Sequence, residues 1–311
     1  MFDVIVLGGG PAGMAAALTL GRVHRSVLLL DAGHGRNGPA DAVHNFVTRD
    51  GTPPEEMRRI GRAELSAYPS VEVRDGTTTD VRISDGGFEV STAAGDRLSA
   101  RRLLLATGLA DELPDIAGLA GLWGRSAFHC PYCHGYECAG KPVAVLGSTG
   151  PRVRLALQLS RFAKDVVLCT GGRPLAEDLR NVLERNRIDV RCEPVTRFDG
   201  EDGALDRIVF ESGPPLDRDA VFVENLPRQH SDLAARLGCA FLADGCVEVD
   251  EFGRTSVPGV HAAGDMAHRA SLPVPLAAVI AAAAAGTVAA SALDQDLLSE
   301  DFALPNPFAR G

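Results

Sequence analysis

The chain has 311 residues and a formal net charge of −10 at pH 7, and 45% of its residues are hydrophobic. This length allows two domains of roughly 150 residues each, and the hydrophobic fraction is typical of a globular protein. The acidic residues are spread along the chain, which argues against nucleic acid as a main partner because phosphate binding needs a basic surface.

The first 31 residues predict a βαβ unit, the building block of a doubly wound sheet. Residues 2–7 form an apolar run rich in valine and isoleucine, residues 14–20 have a helical composition, and residues 26–30 form a second apolar run. A similar unit recurs, with strands predicted at 141–146 and 166–169 around a helix at 153–162. Further short strands are predicted at 71–73, 88–91, 102–106, 221–223 and 260–263.

Residues 276–293 carry no charge and are long enough to raise the question of a membrane helix. They are mostly alanine, with Gly286, Thr287 and Ser291 among them, and so offer little apolar area. We expect a buried helix of a soluble protein here. The N-terminus lacks the basic segment of a signal peptide, and the seven cysteines form no regular disulfide framework. These features together predict a cytoplasmic protein.

A glycine-rich loop joins the first predicted strand to the first predicted helix. Its pattern is G-x-G-x-x-G, in which the glycines permit a tight turn, close approach of a pyrophosphate and close helix packing. The helix N-terminus also presents free N–H groups to phosphates. Asp31, at the end of the next strand, is expected to accept hydrogen bonds from ribose hydroxyls. The loop predicts a dinucleotide site that includes Gly8, Gly10, Pro11, Ala12 and Gly13.

Two later segments resemble flavin-binding motifs. Residues 255–265, TSVPGVHAAGD, resemble the second flavin motif of two-dinucleotide-domain flavoproteins, whose Gly-Asp pair, here Gly264 and Asp265, contacts FAD. The alternative role of Asp265, a helix N-cap, is compatible with flavin contact. Ala106, Thr107 and Gly108 resemble the short motif at which such chains leave the FAD domain. The resemblance implies FAD, rather than NAD, at the first loop.

Cys130 and Cys133 form a single C-x-x-C within residues 128–137, FHCPYCHGYE. Pro131 suits a first helical position, which would place Cys130 near a helix N-terminus, where the pKa of a thiol falls. Zinc usually needs four ligands, and no complete second half of a site follows. We therefore favour a redox pair over structural thiols or a metal site, and we expect no metal. The other cysteines are expected to be buried small residues: Cys138, Cys169, Cys192, Cys239 and Cys246.

Taken together, these motifs resemble the low-molecular-weight thioredoxin reductase family over essentially the whole chain. Within that family, CPYCHGYE is most similar to the branch of small-molecule dithiol oxidases of the gliotoxin and holomycin type, which close disulfides in natural products. In thioredoxin reductases an aspartate follows the second cysteine, whereas this chain has His134.

The resemblance implies an α/β fold with two Rossmann-like domains, the second inserted into the first. Residues 1–113 and 248–311 would form the FAD domain, and residues 114–247 the inserted domain that carries the cysteine pair. Cys133 would face the isoalloxazine and Cys130 would exchange with an external thiol. His134 would be the acid–base group, the alternative being a surface or capping histidine. Asn45 and Val73 would contact the flavin, and the protein would be a homodimer.

The second glycine loop, GSTGPR at 147–152, departs from the pattern of the family's NADPH-using members. Thr149 stands where the middle glycine is expected, so that its Cβ would crowd a pyrophosphate. Arg152 stands where glycine or alanine is expected and would push against helix packing. Those members also hold the 2′-phosphate with an arginine pair after the next strand, where this chain has only Arg173. Productive NADPH binding is therefore doubtful.

The sequence predicts an FAD-dependent dithiol–disulfide oxidoreductase that oxidises a small-molecule dithiol with oxygen or another acceptor. Three alternatives stay open. The first is an NADPH-dependent reductase of thioredoxin or a thioredoxin-like protein. The second is a disulfide reductase fed by ferredoxin or another flavoprotein, and the third is a non-enzymatic flavin-bound redox sensor. Nothing in the sequence identifies the thiol substrate.

Overall fold

The computed structural model describes residues 1–308, which form two compact units. The first unit contains residues 1–38, 54–110 and 227 onward, and the second contains residues 39–53 and 111–226. The predicted domain ranges differ from these units and stay a prediction.

The elements follow one another as alternating strands and helices. In the first 112 residues they are β1 (Phe2–Leu7), α1 (Pro11–Arg22), β2 (Val27–Asp31), α2 (Pro54–Leu65), β3 (Val71–Asp75), β4 (Thr78–Ser84), β5 (Gly87–Thr92), β6 (Arg97–Leu105) and β7 (Leu109–Glu112). The next are α3 (Leu119–Leu122), β8 (Ala127–Phe128), α4 (Pro131–His134), a 3-10 turn (Tyr136–Cys138), β9 (Pro142–Leu146), α5 (Gly150–Leu159), β10 (Asp165–Cys169), α6 (Glu177–Arg185) and β11 (Asp189–Arg191). The remainder are β12 (Val195–Glu201), β13 (Ala204–Phe210), β14 (Leu216–Asp217), β15 (Ala220–Phe222), β16 (Leu226–Gln229), α7 (Leu233–Arg236), β17 (Val247–Glu248), β18 (Val260–Ala262), β19 (Ala267–His268) and α8 (Val279–Phe302).

The first unit is built on a seven-stranded sheet of order β3-β2-β1-β6-β5-β4, with β18 also paired to β6. The pairs among β1, β2, β3, β6 and β18 are parallel, whereas β4, β5 and β6 form an antiparallel extension. Successive side chains of β1 enter opposite cores, Val4 and Val6 on one face and Ile5 and Leu7 on the other. The sheet is therefore buried on both faces, as expected for a doubly wound fold.

The second unit contains a five-stranded parallel sheet of order β11-β10-β9-β15-β8 and a separate antiparallel sheet of β12, β13 and β14. The central strand β9 again serves two cores, with Val143 and Val145 on one face and Ala144 on the other. The expected α/β class with two Rossmann-like sheets is confirmed. The antiparallel strands β4 and β12–β14 were not predicted, since their alternating, partly polar sequences carry a weak apolar signal.

The alanine-rich segment forms most of α8, the last helix of the chain. This helix begins at Val279, is partly buried and packs against α1. A Cβ at Gly286 would lie only 2.0 Å from the carbonyl oxygen of Ala12, so the small residues allow the two helices to approach closely. Within residues 1–308, no helix has the length and apolarity needed to cross a bilayer. The prediction of a buried helix, made from the alanine content, is confirmed for the residues that face α1.

Candidate redox site

The first glycine loop has the shape that a dinucleotide requires. Gly8 has φ +111°, and a Cβ there would lie 2.2 Å from the carbonyl oxygen of Ala106. A Cβ at Gly13 would lie 1.8 Å from the carbonyl oxygen of Gly8, whereas a Cβ at Gly10 would meet no atom within 4 Å. Gly8 and Gly13 are thus required by packing. Gly10 faces open space at the start of α1, where a pyrophosphate could approach the backbone.

The three predicted flavin motifs converge in the first unit. A Cβ at Gly264, which has φ +84°, would lie 3.0 Å from the Cβ of Ala12. The hydroxyl of Thr107, in the motif at 106–108, lies 3.4 Å from the sulfur of Met266, which directly follows the motif at 255–265. The Asp265 carboxylate accepts a hydrogen bond of 2.9 Å from Arg36. The loop and the two later motifs therefore fit one dinucleotide at the carboxyl ends of β1, β6 and β18.

Val73 and Asn45, which were also predicted to contact the flavin, belong to other segments of the chain. Val73 is in β3, opposite Leu29 of β2. Asn45 belongs to segment 39–53, which packs in the second unit with the cysteine pair.

Asp31 accepts more hydrogen bonds from the protein than the sequence predicts. It is buried, and its Oδ2 accepts hydrogen bonds from Arg58 at 2.7 Å and from Arg62 at 3.0 Å. Its Oδ1 accepts the backbone N–H of Gly33 at 3.0 Å. A carboxylate has about four acceptor positions, so one stays free for a ribose hydroxyl. The sequence shows that the two arginines are spaced i,i+4. It does not show that Asp31 is the carboxylate they bind.

Cys130 and Cys133 are joined in a disulfide, with their Cα atoms 5.4 Å apart. Cys130 is the N-cap of the single-turn helix α4, and Pro131 occupies its first turn, as the sequence predicts. The amide of Gly135 donates to the carbonyl of Pro131 at 2.8 Å and closes the turn. The pair is therefore held on a short, proline-initiated turn directly after β8.

Cys133 lines a cavity of about 220 Å³ within the second unit, which Asn45 lines as well. Asn45 has φ +61°, and its backbone N–H donates to Asp50 at 2.7 Å. Next to it, His44 lies 3.4 Å from Glu137 and 3.6 Å from Asp50. The full lining of this cavity, which we call the cysteine cavity, is His44, Asn45, Asp50, Tyr132, Cys133, Tyr136 and Glu137.

The sequence interpretation assigned no role to His44 or Glu137. Glu137 was visible as part of the CPYCHGYE segment, and His44 as the neighbour of Asn45. Their pairing joins residues 93 positions apart (137 − 44 = 93), which local patterns do not reveal.

His134 stacks on Phe128, with ring centroids 4.5 Å apart. Burial lowers the pKa of His134 from 6.5 to about 4, against the opposing charge of Glu137. Among residues 1–308, its Nε2 is one of the buried side-chain atoms without a hydrogen-bond partner. The imidazole is thus neutral at pH 7, with a ring nitrogen free to exchange a proton near the cysteine pair.

The second glycine loop is occupied by its own arginine. Arg152 is 7% exposed, and its guanidinium donates to the carbonyl of Leu146 at 2.8 Å and to the carbonyl of Phe222. These carbonyls end β9 and its neighbour β15, where the pyrophosphate of a bound dinucleotide would lie. The Cγ of Arg152 is 2.8 Å from the position of a Cβ on Gly147. Burial lowers the pKa of Arg152 to about 10, which leaves it charged at pH 7.

The expectation that Arg152 would disturb helix packing is wrong. α5 is intact from Gly150 to Leu159, because the side chain turns toward the strand ends instead. Four of the five other cysteines are buried as expected, but Cys192 is exposed. Cys192 lies at the end of a short edge strand, where its thiol is 3.5 Å from Arg180.

The fold and this site define a two-domain disulfide oxidoreductase, and comparison with known proteins gives the same class. Residues 2–294 match the model of the pyridine nucleotide-disulphide oxidoreductase family, and the chain belongs to that family. Family membership implies a flavin cofactor, which the converging glycine motifs fit.

Within the family the chain is thioredoxin reductase-like. It is 34% identical to thioredoxin reductase tcpT of Claviceps purpurea, with 97% of this chain and 98% of that protein aligned. It is 33% identical to thioredoxin reductase sirT of Leptosphaeria maculans, over 97% and 96% of the two chains. The crystal structure of HlmI is similar with a TM-score of 0.88 and 40% identity, over 97% of this chain and 94% of that one.

Proposed function

We propose that the protein is an FAD-dependent dithiol oxidase, in which a small-molecule dithiol reduces the Cys130–Cys133 disulfide. The observation that carries this proposal is the position of Arg152, whose buried guanidinium lies where NADPH would place its pyrophosphate. With this loop filled, electrons are more readily supplied by a dithiol than by NADPH. The CPYCHGYE segment, which resembles that of small-molecule dithiol oxidases, supports the same direction.

Thiol–disulfide exchange proceeds by attack of a thiolate on a disulfide sulfur. One substrate thiolate attacks Sγ of Cys130, the Cys130–Cys133 bond breaks, and Cys133 leaves as a thiolate. The second substrate thiolate then attacks the substrate sulfur bound to Cys130. This releases the product with its new disulfide and leaves Cys130 as a thiolate. Both substrate protons are lost, and two electrons reside on the cysteine pair.

FAD would supply the acceptor for these two electrons, and oxygen or another oxidant would be the final acceptor. Asn45 and Cys133 line the cysteine cavity together, which supports Cys133 as the cysteine on the flavin side. The residues expected to hold the cofactor are the glycine loop, Asp31, residues 106–108 and the pair Gly264–Asp265.

His134 is the proposed proton acceptor for the substrate thiols. It is neutral at pH 7 because burial lowers its pKa to about 4, so a ring nitrogen can accept a proton. The same burial makes it a weak base, so proton transfer depends on stabilisation of the imidazolium by a nearby negative charge. Glu137, which pairs with His44 at 3.4 Å, is placed to stabilise the positive charge that His134 gains on protonation.

Anaerobic reduction of the bound flavin tests the proposal. The flavin spectrum is followed while the protein is titrated in separate cuvettes with NADPH and with a small dithiol. We expect bleaching by the dithiol and little change with NADPH. Rapid and complete bleaching by NADPH, with none by dithiols, would overturn the oxidase direction.

A second candidate function, NADPH-dependent reduction of thioredoxin, is favoured by the names of the relatives, several of which are called thioredoxin reductases. Steady turnover of NADPH with thioredoxin would select it. The resemblance also implies a homodimer, which light scattering on the flavin-loaded protein would detect as twice the 32.7 kDa chain mass.

A further inference from the structure

A second cluster of reactive side chains lies in the first unit, apart from the cysteine pair. Asp244, Cys246 and His268 offer a carboxylate oxygen, a thiol sulfur and an imidazole nitrogen that all lie within 4.8 Å of one another. Cys246 and His268 are buried, whereas Asp244 is exposed. These are three side-chain types that bind Zn²⁺ in proteins.

The backbone holds this cluster in place from both sides. β17 and β19 pair in parallel, with Val247 opposite Ala267, so Cys246 immediately precedes one strand and His268 ends the other. A tight turn presents Asp244, since Gly245 has φ +82° and donates to the carbonyl of Leu242 at 2.9 Å. The three side chains are therefore positioned before any ligand arrives.

Gln229 links the two sides of the cluster. Its side-chain amide donates to the carbonyl of Gly245 at 2.9 Å and to the carbonyl of Met266 at 2.9 Å. Gly245 lies between Asp244 and Cys246 in the chain, and Met266 lies two residues before His268. The amide thus fixes the separation of the two segments that supply the ligands.

Both ring nitrogens of His268 face an oxygen acceptor. Nδ1 lies 3.0 Å from the carbonyl of Arg269, and Nε2 lies 2.8 Å from Oδ2 of Asp244. Both partners are acceptors, whereas a neutral imidazole carries only one N–H. In the tautomer whose hydrogen lies on Nδ1 and binds the carbonyl of Arg269, the lone pair of Nε2 points toward Asp244, as a metal ligand requires. A ligating histidine whose other N–H binds a backbone carbonyl is the usual arrangement around zinc.

We infer that Asp244, Cys246 and His268 form a binding site for one Zn²⁺ ion, with a water molecule completing four-coordination. Ligand atoms around tetrahedral zinc lie roughly 3.3–3.8 Å apart, given metal–ligand distances of about 2.0–2.3 Å. The side chains therefore need only small rotations: the Asp244–His268 contact widens and the thiol of Cys246 moves inward.

The ion would bridge the turn at 242–246 to the segment that follows the predicted flavin motif. The thiol of Cys246 already lies 3.8 Å from the backbone carbonyl of Asp265. The site is thus placed to stabilise the first unit beside its cofactor loop rather than to take part in thiol exchange.

The test uses the flavin-loaded full chain with the Cys130–Cys133 disulfide closed, since reduced C-x-x-C thiols also bind zinc. The exposed Cys192 is replaced by serine for the same reason. The protein is treated with a chelator, freed of it, and titrated with Zn²⁺ in competition with a chromophoric chelator. We expect one zinc per chain with a Kd at or below about 1 μM.

Three variants assign the site. Cys246→Ala, His268→Gln and Asp244→Asn should each weaken zinc binding at least about 100-fold, which corresponds to roughly 2.7 kcal/mol. Asp244 is exposed, so Asp244→Asn keeps the test decisive if the two buried variants fold poorly. Cys239→Ala removes a buried thiol elsewhere in the unit and should bind zinc like the parent.

Co²⁺ gives an independent readout, because tetrahedral cobalt absorbs at longer wavelengths than the flavin. These bands should appear with the parent and be absent with Cys246→Ala. Absence of stoichiometric zinc binding by the parent would overturn the inference and leave the His268–Asp244 contact of 2.8 Å as a structural hydrogen bond. Zinc binding that Asp244→Asn, Cys246→Ala and His268→Gln all leave unchanged would overturn it equally.

Discussion

Replacement of Arg152 by alanine should both destabilise the second unit and open its glycine loop. The side chain donates to two backbone carbonyls, those of Leu146 and Phe222, and is almost completely buried. A buried acceptor left without its donor costs about 1–3 kcal/mol. Because water can enter the vacated loop and satisfy part of this loss, we expect Arg152→Ala to lower the free energy of unfolding by about 2–4 kcal/mol.

Arg154→Ala is the matched control. Arg154 lies on the same helix but is exposed, so its removal should change the free energy of unfolding by less than about 0.5 kcal/mol. Urea denaturation followed by circular dichroism measures both variants. If Arg152→Ala is as stable as Arg154→Ala, the buried arginine does not hold the strand ends together and the structural argument fails.

Opening the second glycine loop should also speed the reduction of the flavin by NADPH. Thr149→Gly combined with Arg152→Ala restores space at the two positions where a nucleotide-binding loop needs it. The rate of anaerobic flavin reduction by NADPH should rise at least tenfold, a change of about 1.4 kcal/mol, while reduction by a dithiol changes little. Parent protein that is reduced by NADPH as quickly as the double variant would refute the proposal that Arg152 blocks the loop.

Further predictions concern the cysteine pair and the pH dependence of His134 and His261. Cys133→Ser should trap a mixed disulfide with a disulfide substrate at Cys130, visible by intact mass spectrometry, whereas Cys130→Ser should trap none; the reverse result would exchange the two roles. His134→Gln should slow dithiol-driven flavin reduction about 100-fold at pH 7. The parent rate should show no inflection near pH 6.5 attributable to this residue, since burial lowers the pKa of His134 to about 4; an inflection lost in the variant would contradict the assignment. Burial likewise lowers the pKa of His261 to about 4, so its contribution to stability is complete above the unfolded pKa of about 6.5 and is lost as the pH falls toward 4. Stability should therefore fall between pH 7 and pH 5, and this fall should be smaller in His261→Asn, measured as the urea midpoint at each pH.

Local patterns in the sequence were sufficient for the fold class and for the glycine turns of the candidate cofactor site. The glycines at 8, 10 and 13 and the spacing of Cys130 and Cys133 each encode a constraint within a few residues. A tight turn needs glycine, and a short disulfide loop needs cysteines in neighbouring positions. For this reason the βαβ units, the strand before each loop and the start of α4 at Pro131 could be predicted.

What the sequence by itself determined, then, is the chemistry that the chain carries, a dinucleotide loop and a redox pair. Only the tertiary structure decided how Arg152 is used. In the sequence, Arg152 is only a departure from the glycine-loop pattern. In the folded protein its guanidinium donates to the carbonyl of Phe222, which is 70 positions away on a neighbouring strand. The same holds for His44 with Glu137 and for Asp244 with His268, which meet because separate chain segments pack together. Contacts of this kind depend on strand order and burial, which no local spacing records.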